Sequence, residues 1–274
     1  MIWTIITRIR DAVRDVERML GLFQARLDWA AARAAQAGQG PVVAPVLAAM
    51  AELVRHWQAA ADWIADALDG LGDPEALETA SDSWVTIGPV LRDIEDRVRD
   101  LYSSVGANWE GSAADAYAQR IPLQKDAIEE ARTASTGMSG PLLDMKAAIL
   151  AMAGAVLLAI LTLVGALMAA WAGLVAGTIE IAVGSSTLIA GAIVSATGVG
   201  APVGVPAMIL AGLGVAAGVA TVLGALGAAA IGVTIAVVTL DTAASTFASD
   251  ADGAESTLAR VESTVGTWPW LAAQ

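Results

Sequence analysis

The chain has 274 residues, 56% of them hydrophobic and only 5% aromatic, with a net charge of −13 and no cysteine. That length allows one large domain or two ordinary ones. The acidic balance argues against a nucleic-acid partner or a polybasic attachment to anionic lipid, and the lack of thiols removes disulfides, thiolate metal sites and cysteine nucleophiles.

Met1 to Val16 carries five charged residues between Arg8 and Asp15. It has no apolar core of about 7–15 residues and no small-residue cleavage site, so no Sec-type signal peptide is read there. Ile9, Val13, Val16, Leu20, Phe23, Leu27, Ala30 and Ala34 follow strict 4-3 spacing, which predicts an amphipathic helix. Gly38-Gln39-Gly40-Pro41 breaks it. Val43, Leu47, Met50, Val54, Trp57, Ala61, Ile64 and Leu68 repeat the spacing, and Gly70-Leu71-Gly72-Asp73-Pro74 ends that helix. A third stripe runs from Leu77 through Trp84, Leu91, Val98 and Leu101 to Val105.

The third and fourth patterns meet at Trp109-Glu110-Gly111. Gly111 suits a tight reversal, and Trp109 is expected to plug the end of the hairpin. Ser112 reads as the N-cap of the fourth helix, with Asp115 in its first turn. That helix continues through Tyr117, Ile121, Ile128, Met138 and Met145. Pro89, Pro122 and Pro141 fall inside these patterns, where kinks are expected. Heptad-like stripes joined by short Gly/Pro turns predict antiparallel helices packed at shallow angles. The fold class is therefore all-α: a long antiparallel helical bundle with a W-x-G helical hairpin and an apolar Ala/Gly-rich helical hairpin.

From Ala147 to Leu240 the only charged residue is Glu180. Both flanking stretches exceed the roughly 20 apolar residues that cross a bilayer. The strongest interruption, Gly198 to Pro206, reads as a turn between two limbs, 147–197 and 207–240. A weaker one at Gly177–Ser186 would split the first limb. Gly177, Gly184, Gly191 and Gly198 recur every seven residues, and Gly173/Gly177 and Gly214/Gly218 are G-x-x-x-G pairs. Glycine on one helix face permits close backbone approach, as in membrane helix pairs. Two readings of the block stand: a hairpin that enters a membrane, which is preferred, and the buried centre of a soluble bundle or oligomer. Glu180 is a candidate intramembrane acid; the plainer reading makes it an interfacial break beside Ser185 and Ser186. Charges return at Asp241, where a closing amphipathic helix leads to Thr267-Trp268-Pro269-Trp270. The sequence divides at 1–72, 73–146, 147–240 and 241–274.

No catalytic set is visible. The one histidine, His56, reads as a surface or inter-helix residue, and with no cysteine there is no Ser-His-Asp triad, Cys-His pair or His-rich metal cluster. The Gly198–Gly204 stretch lacks the lysine of a phosphate-binding loop. Asp93, Glu95, Asp96 and Asp100 alternate with Arg92, Arg97 and Arg99 as a solvated helix face with pairs such as Glu95–Arg99; Glu129 and Glu130 also read as solvent-facing. The expectation is a protein that is not an enzyme, with no metal and no cofactor.

Trp109-Glu110-Gly111-Ser112-Ala113-Ala114-Asp115-Ala116-Tyr117-Ala118 strongly resembles the W-x-G turn of type VII (ESX) secretion substrates, most of all the longer ESX secretion-associated proteins of actinobacteria. The motif covers about ten residues; the order helix, W-x-G, helix and apolar segment extends the likeness loosely over 75–240. The resemblance implies export without a Sec signal, a helical hairpin at 75–146, and a helical W-x-G-type partner or a homo-oligomer. It also implies recognition of Trp109 and Gly111 by the type VII secretion machinery. The family's Tyr-x-x-x-acid element is absent: Gly106 and Ile121 stand four positions after Tyr102 and Tyr117. Either a partner supplies it, or the protein is not itself the recognised substrate.

The combined expectation is a non-enzymatic, secreted or envelope-associated protein. Its glycine-rich hairpin would insert into membrane lipid or drive pore-like assembly, with glycine faces packing chain against chain. The rival is a soluble structural or chaperone-like protein that keeps the hairpin buried. A toxin-delivery half is disfavoured, since no polar catalytic domain follows Asp241.

Overall fold

The computed structural model describes residues 2–196 and 201–266. They form five helices: α1 (Ile2–Gln36), α2 (Gly40–Gly70), α3 (Pro74–Asn108), α4 (Ser112–Ala196) and α5 (Ala201–Gly266). There is no strand among the described residues, and the protein is an all-α helical bundle. The chain divides into two compact units, 1–70 with 153–243 and 71–152 with 244–274.

The first unit is a four-helix arrangement of α1, α2, residues 153–196 of α4 and residues 201–243 of α5. α1 buries a stripe that includes Ile2, Ile9, Val16, Phe23 and Ala34, and α2 buries Val43, Met50, Trp57 and Ile64. The turn between them is set by backbone bonds. Gly38 has φ +73, and Gln39 N–H donates to Ala34 O at 2.8 Å while Gly38 N–H donates to Ala35 O at 3.0 Å. This Schellman pair satisfies the last carbonyls of α1, and only glycine takes that left-handed φ without penalty. The polar-outside stripes of α1 and α2 close on Ile160, Leu163, Leu167 and Leu174 of α4 and Val222, Leu226, Ala229 and Val233 of α5. The apolar block is thus the centre of this core, and the N-terminal hairpin is part of the same unit.

In the second unit, α3 and residues 112–152 of α4 form an antiparallel hairpin joined by residues 244–266 of α5. Asp73 caps α3, its side chain accepting from Glu75 N–H at 2.9 Å with Pro74 at the start of the helix. Lys125 meets Glu95 at 4.0 Å and Lys146 meets Glu78 at 2.8 Å. Ser81 donates to Ser139 O at 3.2 Å. Few large side chains are buried here, and Leu101 of the predicted third stripe is exposed.

The structure corrects two readings. No break occurs at Gly177–Ser186, because α4 is a single helix of 85 residues. The boundary read at 146 and the one between the two units at 152 both fall within that helix. Pro89, Pro122 and Pro141 stand inside the spans of α3 and α4. Of the expected turn at 198–206, residues 201–206 belong to α5, which starts at Ala201; Pro202 then stands in its first turn, where a missing N–H costs nothing. Gly198 and Thr267–Trp270 lie outside the described residues.

Candidate functional site

The Trp-Glu-Gly turn belongs to the second unit. Trp109 closes α3 in an extended conformation, φ −132 and ψ 128. Gly111 has φ +105, and a Cβ there would meet nothing within 4 Å. Conformation rather than space therefore demands glycine. The Gly111 carbonyl accepts from Asp115 N–H at 3.0 Å, so Gly111 occupies the N-cap. Ser112 is the first helical residue instead of the cap, displaced by one position because the glycine backbone itself makes the reversal. Trp109 does not plug the hairpin. It is 44% exposed and its ring lies 5.9 Å from that of half-buried Tyr117, tilted by 50°. Tyr117 stands one and a half turns into α4 and gives the indole a lateral support at the hairpin tip.

On the same unit, Arg99 pairs with Asp96 rather than with Glu95, which faces Lys125. Glu129 and Glu130 are exposed.

In the first unit the glycines organise the seam between α4 and α5. A Cβ on Gly177 would fall 2.6 Å from Val222 Cγ2 and 2.7 Å from Gly218 O. One on Gly184 would fall 2.8 Å from Ala211 O, and one on Gly218 would fall 2.6 Å from Gly177 O. A Cβ on Gly173 would lie 3.2 Å from Ala225 Cβ, and one on Gly214 would lie 3.8 Å from Gly184 Cα. Gly232, which the spacing did not single out, stands 2.6 Å from Ala166 Cβ by the same measure. These are contacts within one chain. Gly177, Gly184 and Gly218 are consumed by the hairpin's own packing, not left free to pack chain against chain. Gly191 and Gly198 lie outside the residues whose surroundings are described.

The inner side of the hairpin is covered by α1. Phe23 stacks on Trp171 with centroids 5.3 Å apart, and Arg26 Nε donates to the buried Thr178 hydroxyl at 3.0 Å. Thr178 in turn donates to Val175 O at 2.9 Å, so its hydroxyl is satisfied in both roles. Sequence periodicity could not find these pairs, since each joins helices far apart in the chain.

The outer side is different. Leu158, Leu161, Met168, Ile179 and Val183 of α4 and Leu210, Leu213, Ile231, Ile235 and Val238 of α5 are exposed. Between them lie alanines, glycines and threonines. Both helices are long and apolar enough to cross a membrane by length and composition, a test that core helices of soluble proteins also pass. Their most apolar stretches have mean hydropathy 2.7 and 2.2, and 44% and 39% of those residues are buried in the chain. A helix buried on one side and bare on the other leaves that apolar area in contact with water.

Glu180 is exposed on this outer side, and its Oε2 accepts from Thr221 Oγ1 at 3.4 Å. It marks no helix break. Ser185 is buried and Ser186 exposed on the continuing helix. His56 is exposed and its Nδ1 lies 2.8 Å from Glu52 O. Arg55 Nε donates to Glu52 at 3.1 Å, and that hydrogen bond holds the Glu52 carboxyl below its ordinary pKa. Among the described residues, no three His, Cys, Asp or Glu side chains converge on a metal-sized site.

Fold and surface together define an all-α helical-bundle protein with a tight W-x-G reversal and a half-covered apolar hairpin. Comparison with protein-family models, with curated proteins and with solved structures found no match.

Proposed function

We propose that this chain is a non-enzymatic, type VII secretion-associated protein whose α4–α5 hairpin engages a membrane through its outer side. The single observation that carries the reading is the bare apolar face itself: the polar shell of α1 and α2 covers only the inner side of the hairpin. Burial of such a face is favourable at about 25 cal/mol per Å², and lipid is a solvent that removes it from water without a shaped partner. The export assignment rests on the resemblance of Trp109 to Ala118, and localisation in the envelope or outside the cell follows from it. A helical W-x-G-type partner supplies the tyrosine element this chain lacks.

A second reading is favoured by one observation: the intrachain glycine seam and the α1–α2 cover already give the hairpin a packed core. On that reading the protein is a soluble structural or chaperone-like assembly, and a second copy covers the outer side. Flotation of purified full-length protein with phospholipid vesicles separates the two. Co-flotation supports membrane engagement; a monodisperse, detergent-free oligomer that ignores vesicles overturns it in favour of the second reading.

A further inference from the structure

From Gly154 to Ala190 the outward stripe of α4 carries one ionisable side chain, Glu180, and that of α5 from Leu210 to Val238 carries none. Glu180 stands at the tightest part of the hairpin. Its Cβ is 2.9 Å from where a Cβ on Gly218 would lie. The base of the side chain is therefore fixed at the edge of the seam, and its carboxylate lies 3.4 Å from the Thr221 hydroxyl of the neighbouring helix, whose single hydrogen is shared with Ala217 O at 3.0 Å.

Among the described residues no cation forms an ion pair with Glu180. α5 has no charged residue from 201 to 240. On α1, the Arg26 guanidinium serves Thr178 on the buried side and lies over the Trp29 ring at 4.6 Å, Asp28 carries the same sign as Glu180, and Arg33 in the last turn makes no ion pair with it. On α2, Arg55 pairs with Glu52. The negative charge of Glu180 is thus met by water and a shared hydroxyl.

Water is lost when the face enters hydrocarbon, and an ionised carboxylate resists that transfer far more than a neutral acid does. We infer that Glu180 is a proton-operated gate: its charged form holds the outer side of α4–α5 in water, and its neutral form admits that side to lipid. The inference rests on the membrane reading above. The neutral acid has a partner in Thr221, because its O–H can donate to the hydroxyl oxygen while the hydroxyl hydrogen stays on Ala217 O.

The test is flotation of the full-length protein with zwitterionic phosphatidylcholine vesicles at pH 7.5 and pH 5.0, comparing wild type, Glu180→Gln and Glu130→Gln. The glutamine at 180 keeps shape and hydrogen bonding but has no charge to remove. Wild type should partition about tenfold more at the lower pH, and Glu180→Gln should reach that level already at pH 7.5. Glu130→Gln, which removes a charge from an exposed site on the second unit, should keep the wild-type pH step. Glu180→Ala serves if circular dichroism shows the glutamine variant unfolded. Lipid binding that is independent of pH, or a full pH step in Glu180→Gln, overturns the gate while leaving membrane engagement standing. No binding by any variant at either pH overturns both.

Discussion

Gly177 and Gly218 face each other across the α4–α5 seam so closely that a Cβ on either would lie within 2.7 Å of the other's carbonyl oxygen. No side-chain rotation relieves such a contact, because the obstacle is backbone. Gly177→Ala or Gly218→Ala must push the helices apart and is expected to destabilise the protein by about 1–3 kcal/mol, despite alanine's better helix propensity. Gly227 lies on the same helix as Gly218 but with nothing within 4 Å. There Gly227→Ala should stabilise by about 0.5–1 kcal/mol. Thermal melts of the three variants followed by circular dichroism check both signs.

The Trp-Glu-Gly turn separates conformation from recognition. Gly111→Ala forces a side chain to φ +105 and should cost about 1–2 kcal/mol of stability. Trp109→Ala removes a half-exposed ring whose contact with Tyr117 is worth about 0.5–1.5 kcal/mol. The second variant should therefore stay folded while losing export. Normal secretion of folded Trp109→Ala would remove the motif's proposed role.

The N-terminal stripes were readable because α1 and α2 each face water on one side, so apolar residues mark the other. That contrast vanishes in 153–240, where both sides of each helix are apolar. Periodicity there cannot tell the face against Phe23 from the bare face beyond it. Nor can it tell that Gly177–Ser186 stays helical. The glycines and serines weaken a helix locally, but the seam with Gly218 and Ala211 holds the backbone in place. The two units combine stretches that a contiguous division of the sequence keeps apart, for a related reason: Phe23–Trp171 and Arg26–Thr178 tie remote stretches into one unit, and no local pattern records such pairings. At the W-x-G turn the reversal was legible from Gly111, whereas the cap moved by one residue because backbone geometry, not the Ser112 hydroxyl, decides it.

Phe23 is fully buried and stacked on Trp171. Phe23→Ala should cost about 3–5 kcal/mol by loss of transfer energy and the cavity left behind. Phe23→Leu should recover most of it. Chemical denaturation of full-length variants checks the order, wild type above leucine above alanine.

Glu52 titrates below its ordinary value because Arg55 hydrogen-bonds the ionised form. A depressed carboxylate pKa adds stability above the unfolded value, lost as pH falls through the folded one. The pair is fully exposed, so its contribution is small and screened by salt. Arg55→Gln should return the Glu52 carboxyl to its usual range, seen by NMR titration of the side-chain carbon, with little change at neutral pH in the melting temperature.

The outer side of α4–α5 makes no contact that the fold needs. Met168, Leu213 and Ile231 are 64%, 62% and 62% exposed, so Met168→Gln, Leu213→Gln and Ile231→Gln should each alter folding stability by no more than about 0.5 kcal/mol. The proposed membrane engagement draws on this area. Combining the three removes apolar surface from both helices at once and should abolish vesicle co-flotation while the melting temperature holds. If co-flotation survives in the folded triple variant, lipid is meeting some other surface. If the triple variant instead dissociates from an oligomer to a monomer without ever having bound vesicles, the outer side is where a second copy docks.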